Sequence, residues 1–353
     1  MNNAQTAPKI KKETKNTIKV EFEDRTPFWE RVKAKLVNLY TLKKVIYYIF
    51  RLVLLLGISY VILFPFFSKI SSSFMAKEDF VDVTVVLIPK HPNLEIYRAI
   101  IKDNKYWEAL LNTFILSLVC AVIQTFICMF IAYGFAKFKF KGNSILFLCV
   151  LFTLVVPHAT LQLSLFMKFR YFDVLGIINF LGGGVVDAIN VTGGKTSINF
   201  INSNWPLYIL SLTGLAYKNG LYIFMLRQFF RGIPDELEES AYLDGSGIMR
   251  TFFSIIIPLS TTMMITVFMF AFCWQWTDNF YTDLFYTTAG DKLLPDIIKI
   301  PKSLDTNYAG QSLYSSAITN TCGILIITPL IILYLFGQRY IVQGIERSGL
   351  TAD

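Results

Sequence analysis

The residues of this 353-residue chain that could do chemistry are few and scattered: five cysteines, two histidines and one lysine stranded in an apolar run. Cys120, Cys128, Cys149, Cys273 and Cys322 all fall in apolar stretches, and none forms a pair separated by two residues. With only His91 and His158 beside them, they exclude a zinc cluster or a disulfide framework and read as small apolar residues of helices. Gly193-Gly194-Lys195-Thr196 has the residues of a phosphate cradle, but no strand pattern precedes it, so an external flexible loop is expected. Lys218-Asn219-Gly220 is different. It interrupts an apolar run near its middle, and an ammonium inside hydrocarbon costs about 3 kcal/mol. Three readings follow: Lys218 and Asn219 line a cavity and donate to a solute, Lys218 pairs with another subunit, or it snorkels to the surface. Tyr222, Trp274 and Trp276, with Tyr208 and Tyr217, offer faces on which a ring could stack, or else form an interfacial aromatic belt. Asp278 follows them. His158, next to Pro157, reads as a kink neighbour with a satisfied ring in preference to a proton relay.

A second polar island lies at 231–250. Pro234 suits a first helical turn, and Asp235 and Glu236 complement the helix dipole. Leu237, Ala241 and Asp244 recur at i, i+4 and i+7, and Gly245 suits the stop, where a left-handed residue is needed. By itself this pattern fits either an ordinary capped surface helix or a helix whose face seats in a partner.

The elements that hold these islands are apolar. Hydrophobic residues make up 54% of the chain and mean hydropathy is +0.49. About 20 apolar residues at 1.5 Å each cross a bilayer core of roughly 30 Å. Six runs qualify: 45–67, 110–136, 144–167, 207–230, 251–277 and 315–337. Lipid offers the backbone no hydrogen bonds, and the ten-residue alternation of a barrel is missing, so an all-α integral membrane fold with six transmembrane helices is expected. Net charge is +8, with eleven Lys or Arg before residue 45 and more in Lys137–Lys141, Arg231, Arg250, Arg339 and Arg347. With six spans these fall on one side, which places both termini in the cytoplasm and reads the charge as loop bias, not nucleic-acid binding. Residues 1–25 read as disordered. Thr26-Pro27 opens an amphipathic helix on the inner leaflet, or a plain lead-in to the first span. A cleavable secretion signal is not expected, since the first apolar run starts late and is too long.

Glu239-Ser240-Ala241, three residues, Gly245, nine residues and Ile255-Ile256-Ile257-Pro258 resemble the "EAA" loop of bacterial ABC-importer permeases, E-A-A…G…I-x-L-P, with Ser240 and Ile257 as departures. Asn112-Thr113, the run Ala132–Gly142, Pro157, Leu226–Pro234, Trp276 with Asp278, and Gln338–Gly344 are similar to further motifs of the carbohydrate, maltose-transporter-like permeases of the shorter subunit type. One departure is the long segment 176–206, where that family has a brief connection. The resemblance implies a type I importer permease fold over about 45–350, with 1–44 a cytoplasmic tail and 231–250 the coupling loop. It implies an ABC ATPase dimer docked on Leu237, Glu239, Ala241, Asp244, Gly245 and Pro258, a second permease subunit, most simply a different chain, and an extracellular substrate-binding protein. ATP and magnesium would sit on the ATPase, since this chain has no G-x-x-x-x-G-K-[ST] motif and supplies no catalytic residue. The cargo would be a sugar or oligosaccharide crossing a bacterial cell membrane by alternating access. The cavity candidates would then be Lys218 and Asn219, donating to sugar hydroxyls or a uronate carboxylate, with Tyr222, Trp274 and Trp276 as stacking faces and Asp278 beside them. A non-sugar cargo stays open, as does a secondary transporter, although paired intramembrane acids are not seen.

Overall fold

The computed structural model describes residues 10–13, 17–20, 39–173, 191–192, 195–287, 293–304 and 310–347. The chain divides into two units, 1–68 and 69–353. In the first, strands β1 (Ile10–Glu13) and β2 (Thr17–Val20) pair antiparallel, Ile10 opposite Val20, where composition alone predicted no regular structure. The expected amphipathic helix from Thr26 lies outside the described residues for most of its length. Helix α1 (Leu39–Ser72) is long enough to span a bilayer, and its apolar side chains from Val45 to Phe67 are exposed nearly throughout.

The second unit is built on α3 (Tyr106–Lys137), which follows the short α2 (Glu95–Asp103). Its inner face runs Thr113, Leu116, Ser117, Cys120, Ala121, Gln124, Cys128, Ala132, all buried. Small side chains at this spacing let other helices approach closely. Along it lie α6 (Trp205–Leu212), α7 (Asn219–Arg231) and α10 (Thr261–Trp276). Gln124 donates to Ser211 Oγ at 3.1 Å, a polar tie inside an apolar interface. Cys120, Cys128 and Cys322 are buried and free, as the composition argued.

Among the described residues three helices are long and apolar enough to cross a membrane unbroken: α1, α3 and α12 (Gln311–Arg347). Two others, 144–167 and 251–277, were expected as continuous spans and are sharply bent. The first is α4 (Asn143–Val155) and α5 (Gln162–Arg170), with a 98° bend at Pro157 and His158. The second is α9 (Ile248–Leu259, with a π-turn over Phe252–Ile256) and α10, with a 78° bend at Ser260. The cause of each is local. Proline has no N–H to offer the preceding turn, and its ring crowds it. Next to Pro258, Ser260 Oγ donates to the Ile256 carbonyl at 2.5 Å, which completes the break. The predicted span 207–230 is also two helices, α6 and α7, separated by Thr213–Lys218, where Gly214 (φ 73°) and Lys218 (φ 66°) are left-handed.

The halves of that broken segment belong to different cores. Leu207, Leu210 and Ala216 join Leu116, Phe169 and Phe285, whereas Tyr222, Leu226 and Phe230 join Met129, Tyr133, Phe252 and Trp276. Helix α12 carries Pro329, yet stays straight enough to remain one helix. The Leu325 carbonyl that Pro329 cannot satisfy accepts a bond from Tyr106 Oη at 3.1 Å. Gly337 and Gly344 of α12 sit directly on Met269 and Thr266 of α10, with no room for a Cβ, and Thr266 Oγ1 donates to the Tyr340 carbonyl at 2.9 Å.

Candidate functional site

The polar island 231–250 folds into helix α8 (Glu236–Leu243). Glu236, Glu238 and Glu239 fill its first turn, where carboxylates favour the positive end of the dipole. Its end is closed as the glycine predicted. Gly245 has φ 82°, its N–H reaches the Tyr242 carbonyl at 3.0 Å, and the Ser246 N–H reaches the Ala241 carbonyl at 2.9 Å. The helix is tied to the end of α3. Lys137 Nζ donates to Asp235 Oδ1 at 2.6 Å and to the Ile233 carbonyl at 2.7 Å, and lies 3.2 Å from Glu238 Oε1. Tyr133 Oη donates to the other Glu238 oxygen at 2.9 Å. Both Lys137 and Glu238 are buried, with side chains only 7% and 8% exposed. The Lys137 hydrogen bond holds the Asp235 carboxyl below its ordinary range.

The predicted docking residues divide accordingly. Leu237, Glu239, Asp244, Gly245 and Pro258 are exposed. Ala241 is buried on the face that also carries Glu238, so it packs within this chain and is not part of the outward face. The outward apolar groups are Leu237, Leu243, Ile248 and Met249, Leu243 being 89% exposed. Lys137, Tyr133 and Glu238 were not singled out from sequence. Their signal was available: Tyr133 and Lys137 stand at i, i+4 on the last turn of α3, so both reach the same side.

The break between α6 and α7 opens a cavity of about 870 Å³, in the range of small-molecule sites. Its wall includes Lys218, Trp274 and Asp278 of the predicted set, together with His158, Tyr217 and Tyr281. Lys218 Nζ lies 4.7 Å from the Tyr217 ring centre and 5.0 Å from that of Trp274. The His158 ring meets Tyr217 edge-to-face at 4.7 Å, and its Nδ1 shares a 2.8 Å hydrogen bond with Tyr281 Oη, the satisfied ring expected of it. Asp278 accepts backbone N–H bonds from Tyr281 and Thr282 at 3.2–3.3 Å and so caps α11 (Phe280–Phe285).

Asn219, Tyr222 and Trp276 lie off the cavity wall, a correction to their expected place. Helical phase explains it: each residue turns about 100°, so Trp276 points roughly opposite Trp274. Trp276 is buried and donates Nε1–H to the Ile326 carbonyl of α12 at 3.0 Å. The Asn219 amide and Tyr222 hydroxyl are buried without a hydrogen-bond partner among the described residues. Tyr281, which sequence reasoning missed, enters because the cap at Asp278 turns α11 back over the cavity. Lys195-Thr196 is not the start of a helix: the short strands β3 (Val191–Thr192) and β4 (Lys195–Thr196) pair antiparallel there.

Comparison with known proteins gives one consistent picture. Residues 124–347, more than half of the chain, match the model of the family described as "Binding-protein-dependent transport system inner membrane component". The chain is 23% identical over 290 residues to the inner membrane ABC transporter permease protein YcjP of Escherichia coli (strain K12), covering 82% of this chain and 91% of that protein. It is 25% identical over 305 residues to the galactooligosaccharides transport system permease protein GanQ of Bacillus subtilis (strain 168), covering 85% and 94%. It is 30% identical over 251 residues to the osmoprotective compounds uptake permease protein GgtD of Synechocystis sp., covering 70% and 72%. In fold it is similar to a chain of a bacterial ABC transporter involved in the import of the acidic polysaccharide alginate, with a TM-score of 0.62, 20% identity, and coverage of 89% of this chain and 99% of that one. A fold built on α3, a loop helix locked to its end and a match across residues 124–347 together place the chain in the binding-protein-dependent inner membrane component family, the permease subunits of ABC importers.

Proposed function

We propose that this chain is one transmembrane subunit of an ABC importer that moves a sugar or oligosaccharide across a bacterial cell membrane. The observation that carries the reading is α8, an exposed helix whose root is buried in α3 through Lys137, Tyr133 and Glu238. A force on α8 is delivered to the spans without slack, which is what a coupling element requires. An ABC ATPase dimer grips the outward residues Leu237, Glu239, Leu243 and Asp244, and ATP and magnesium stay on that partner. Six spans follow when α4 with α5, α6 with α7 and α9 with α10 each count as one broken crossing, and both termini are then cytoplasmic. A second, different permease subunit completes the pathway, and a soluble binding protein delivers cargo from outside.

The names of the galactooligosaccharide relative and of the solved alginate importer support a saccharide. A non-sugar solute is the second reading, favoured by the relative named for osmoprotective compounds. The test is copurification. A tagged chain in mild detergent brings down an ATPase and a second membrane subunit, and Gly245→Val, which cannot hold the left-handed backbone that ends α8, loses the ATPase while keeping the membrane subunit. A folded wild-type chain that brings down no ATPase overturns the importer reading.

A further inference from the structure

The geometry points to an acidic saccharide as the cargo, with Lys218 as the residue that selects its carboxylate; this rests on the importer reading above. Three observations converge. Lys218 is a cation in the cavity wall, and among the described residues no carboxylate lies within 4.0 Å of its ammonium. Its contacts are the faces of Tyr217 and Trp274. Such faces hold an ammonium in place without supplying an oxygen acceptor, so N–H capacity remains for a ligand. Second, Lys218 is the residue before the first turn of α7, a 13-residue helix, and Gly220 of that turn also lines the cavity. The helix dipole adds positive potential where the ammonium stands. Third, Trp274 in the same wall is 44% exposed and presents a flat apolar ring of the kind that sugar rings stack on.

The other charge on the wall, Asp278, makes no ion pair with Lys218 among the described residues; its carboxylate accepts backbone N–H groups from Tyr281 and Thr282 at the start of α11. One ammonium matches the single charge of a carboxylate, whereas a phosphate dianion brings two. The left-handed φ of 66° at Lys218 puts its side chain off the regular helical path, and nothing in α7's own hydrogen bonding needs a lysine there.

The experiment uses the tagged chain purified with its copurifying subunits in lipid nanodiscs. Tryptophan fluorescence is titrated with galacturonate, with galactose as its uncharged counterpart and with glucose 6-phosphate. Trp274→Phe identifies the part of the signal that arises at the cavity. The expected result is saturable quenching by galacturonate at a concentration at least about tenfold lower than galactose requires, the size of one charge-assisted hydrogen bond. Lys218→Met brings the two sugars within about twofold of each other, and Lys218→Arg, which keeps the charge, retains the preference. Equal response to both sugars in wild type, or a preference that survives Lys218→Met, overturns the inference. A response to glucose 6-phosphate stronger than to galacturonate overturns the carboxylate assignment. If an ATPase copurifies and the preference is missing, this inference fails and the importer reading stands. If no ATPase copurifies, the importer reading fails whatever the sugars do.

Discussion

The hydroxyl of Tyr133 donates to the buried carboxylate of Glu238 at 2.9 Å, across 105 positions of sequence. With Lys137 on the other oxygen, Glu238 is a carboxylate whose burial depends on both partners. Removing the cation leaves an uncompensated buried charge, which costs about 3 kcal/mol or more. Lys137→Met is therefore expected to detach α8 from α3 and to reduce copurifying ATPase to background while the second membrane subunit is retained. Tyr133→Phe removes one hydrogen bond worth about 1 kcal/mol and is expected to weaken the association only modestly. Full ATPase recovery with Lys137→Met would show that the tie is dispensable.

At Gly245 the constraint is the backbone and not space. No atom lies within 4 Å of where a Cβ would stand, but φ is 82°. Asn, which tolerates the left-handed region, is expected to behave nearly as wild type, whereas Val costs about 1–2 kcal/mol locally and frays the last turn of α8. Quantifying ATPase bound to each variant separates these; equal loss with Asn and Val would point to a side-chain clash instead.

Gly220 presents the opposite case. A Cβ there would meet Thr153 Oγ1 at 2.5 Å and the Val150 carbonyl at 3.1 Å. Gly220→Ala is expected to lower thermal stability by about 1–3 kcal/mol through overpacking of α7 on α4. Adding Thr153→Ala recovers part of the loss, since the Val150 backbone cannot yield. A double variant no more stable than Gly220→Ala alone counts against this contact as the cause.

The segment 77–92 gives a pH prediction. Burial is the largest single influence on Asp79 and raises its carboxyl's pKa, but the His91 backbone N–H at 3.0 Å, the His91 ring at 2.8 Å and the Lys90 backbone together outweigh it and hold the carboxyl below its ordinary value. A carboxylate with a depressed folded value stabilises the native state above its unfolded value, and that contribution is lost as pH falls through the folded one. Protease protection of residues 77–92 is expected to be flat from about pH 8 to 5 and to fall below about pH 4. Asp79→Asn removes that acid limb; an unchanged limb would rule Asp79 out.

Local signals in the sequence were legible where a single residue dictates its own backbone. Gly245 ended α8, the charge-free run 110–136 became α3, and Cys120, Cys128 and Cys322 went into apolar interfaces. Hydropathy was less informative about continuity. A window average counts apolar residues and is blind to Pro157, Pro258 and the left-handed pair Gly214 and Lys218, which break three of the runs. Within the site, Lys218, Trp274 and Asp278 met at one cavity as read from their types, but Asn219 and Trp276 did not, because side-chain phase decides which neighbour of a good residue shares its wall. The tie from Lys137 to Glu238 joins segments a hundred positions apart, and its lysine was already explained as loop charge.

The interruption at Thr213–Lys218 leaves two finished helices, not one damaged one. Thr213 N–H closes the end of α6 on the Ile209 carbonyl at 2.9 Å, and Lys218's carbonyl already accepts from Leu221 and Tyr222 at the start of α7. Each half is anchored in its own core, α6 with Phe285 and α7 with Phe252. Rotation at this joint would leave the ladder within each helix intact and would break only the bonds that span it, Leu215 N–H to the Leu210 carbonyl at 3.0 Å and Asn219 N–H to the Ala216 carbonyl at 3.1 Å. Two clasps thus hold the joint shut, and Lys218 stands inside one of them.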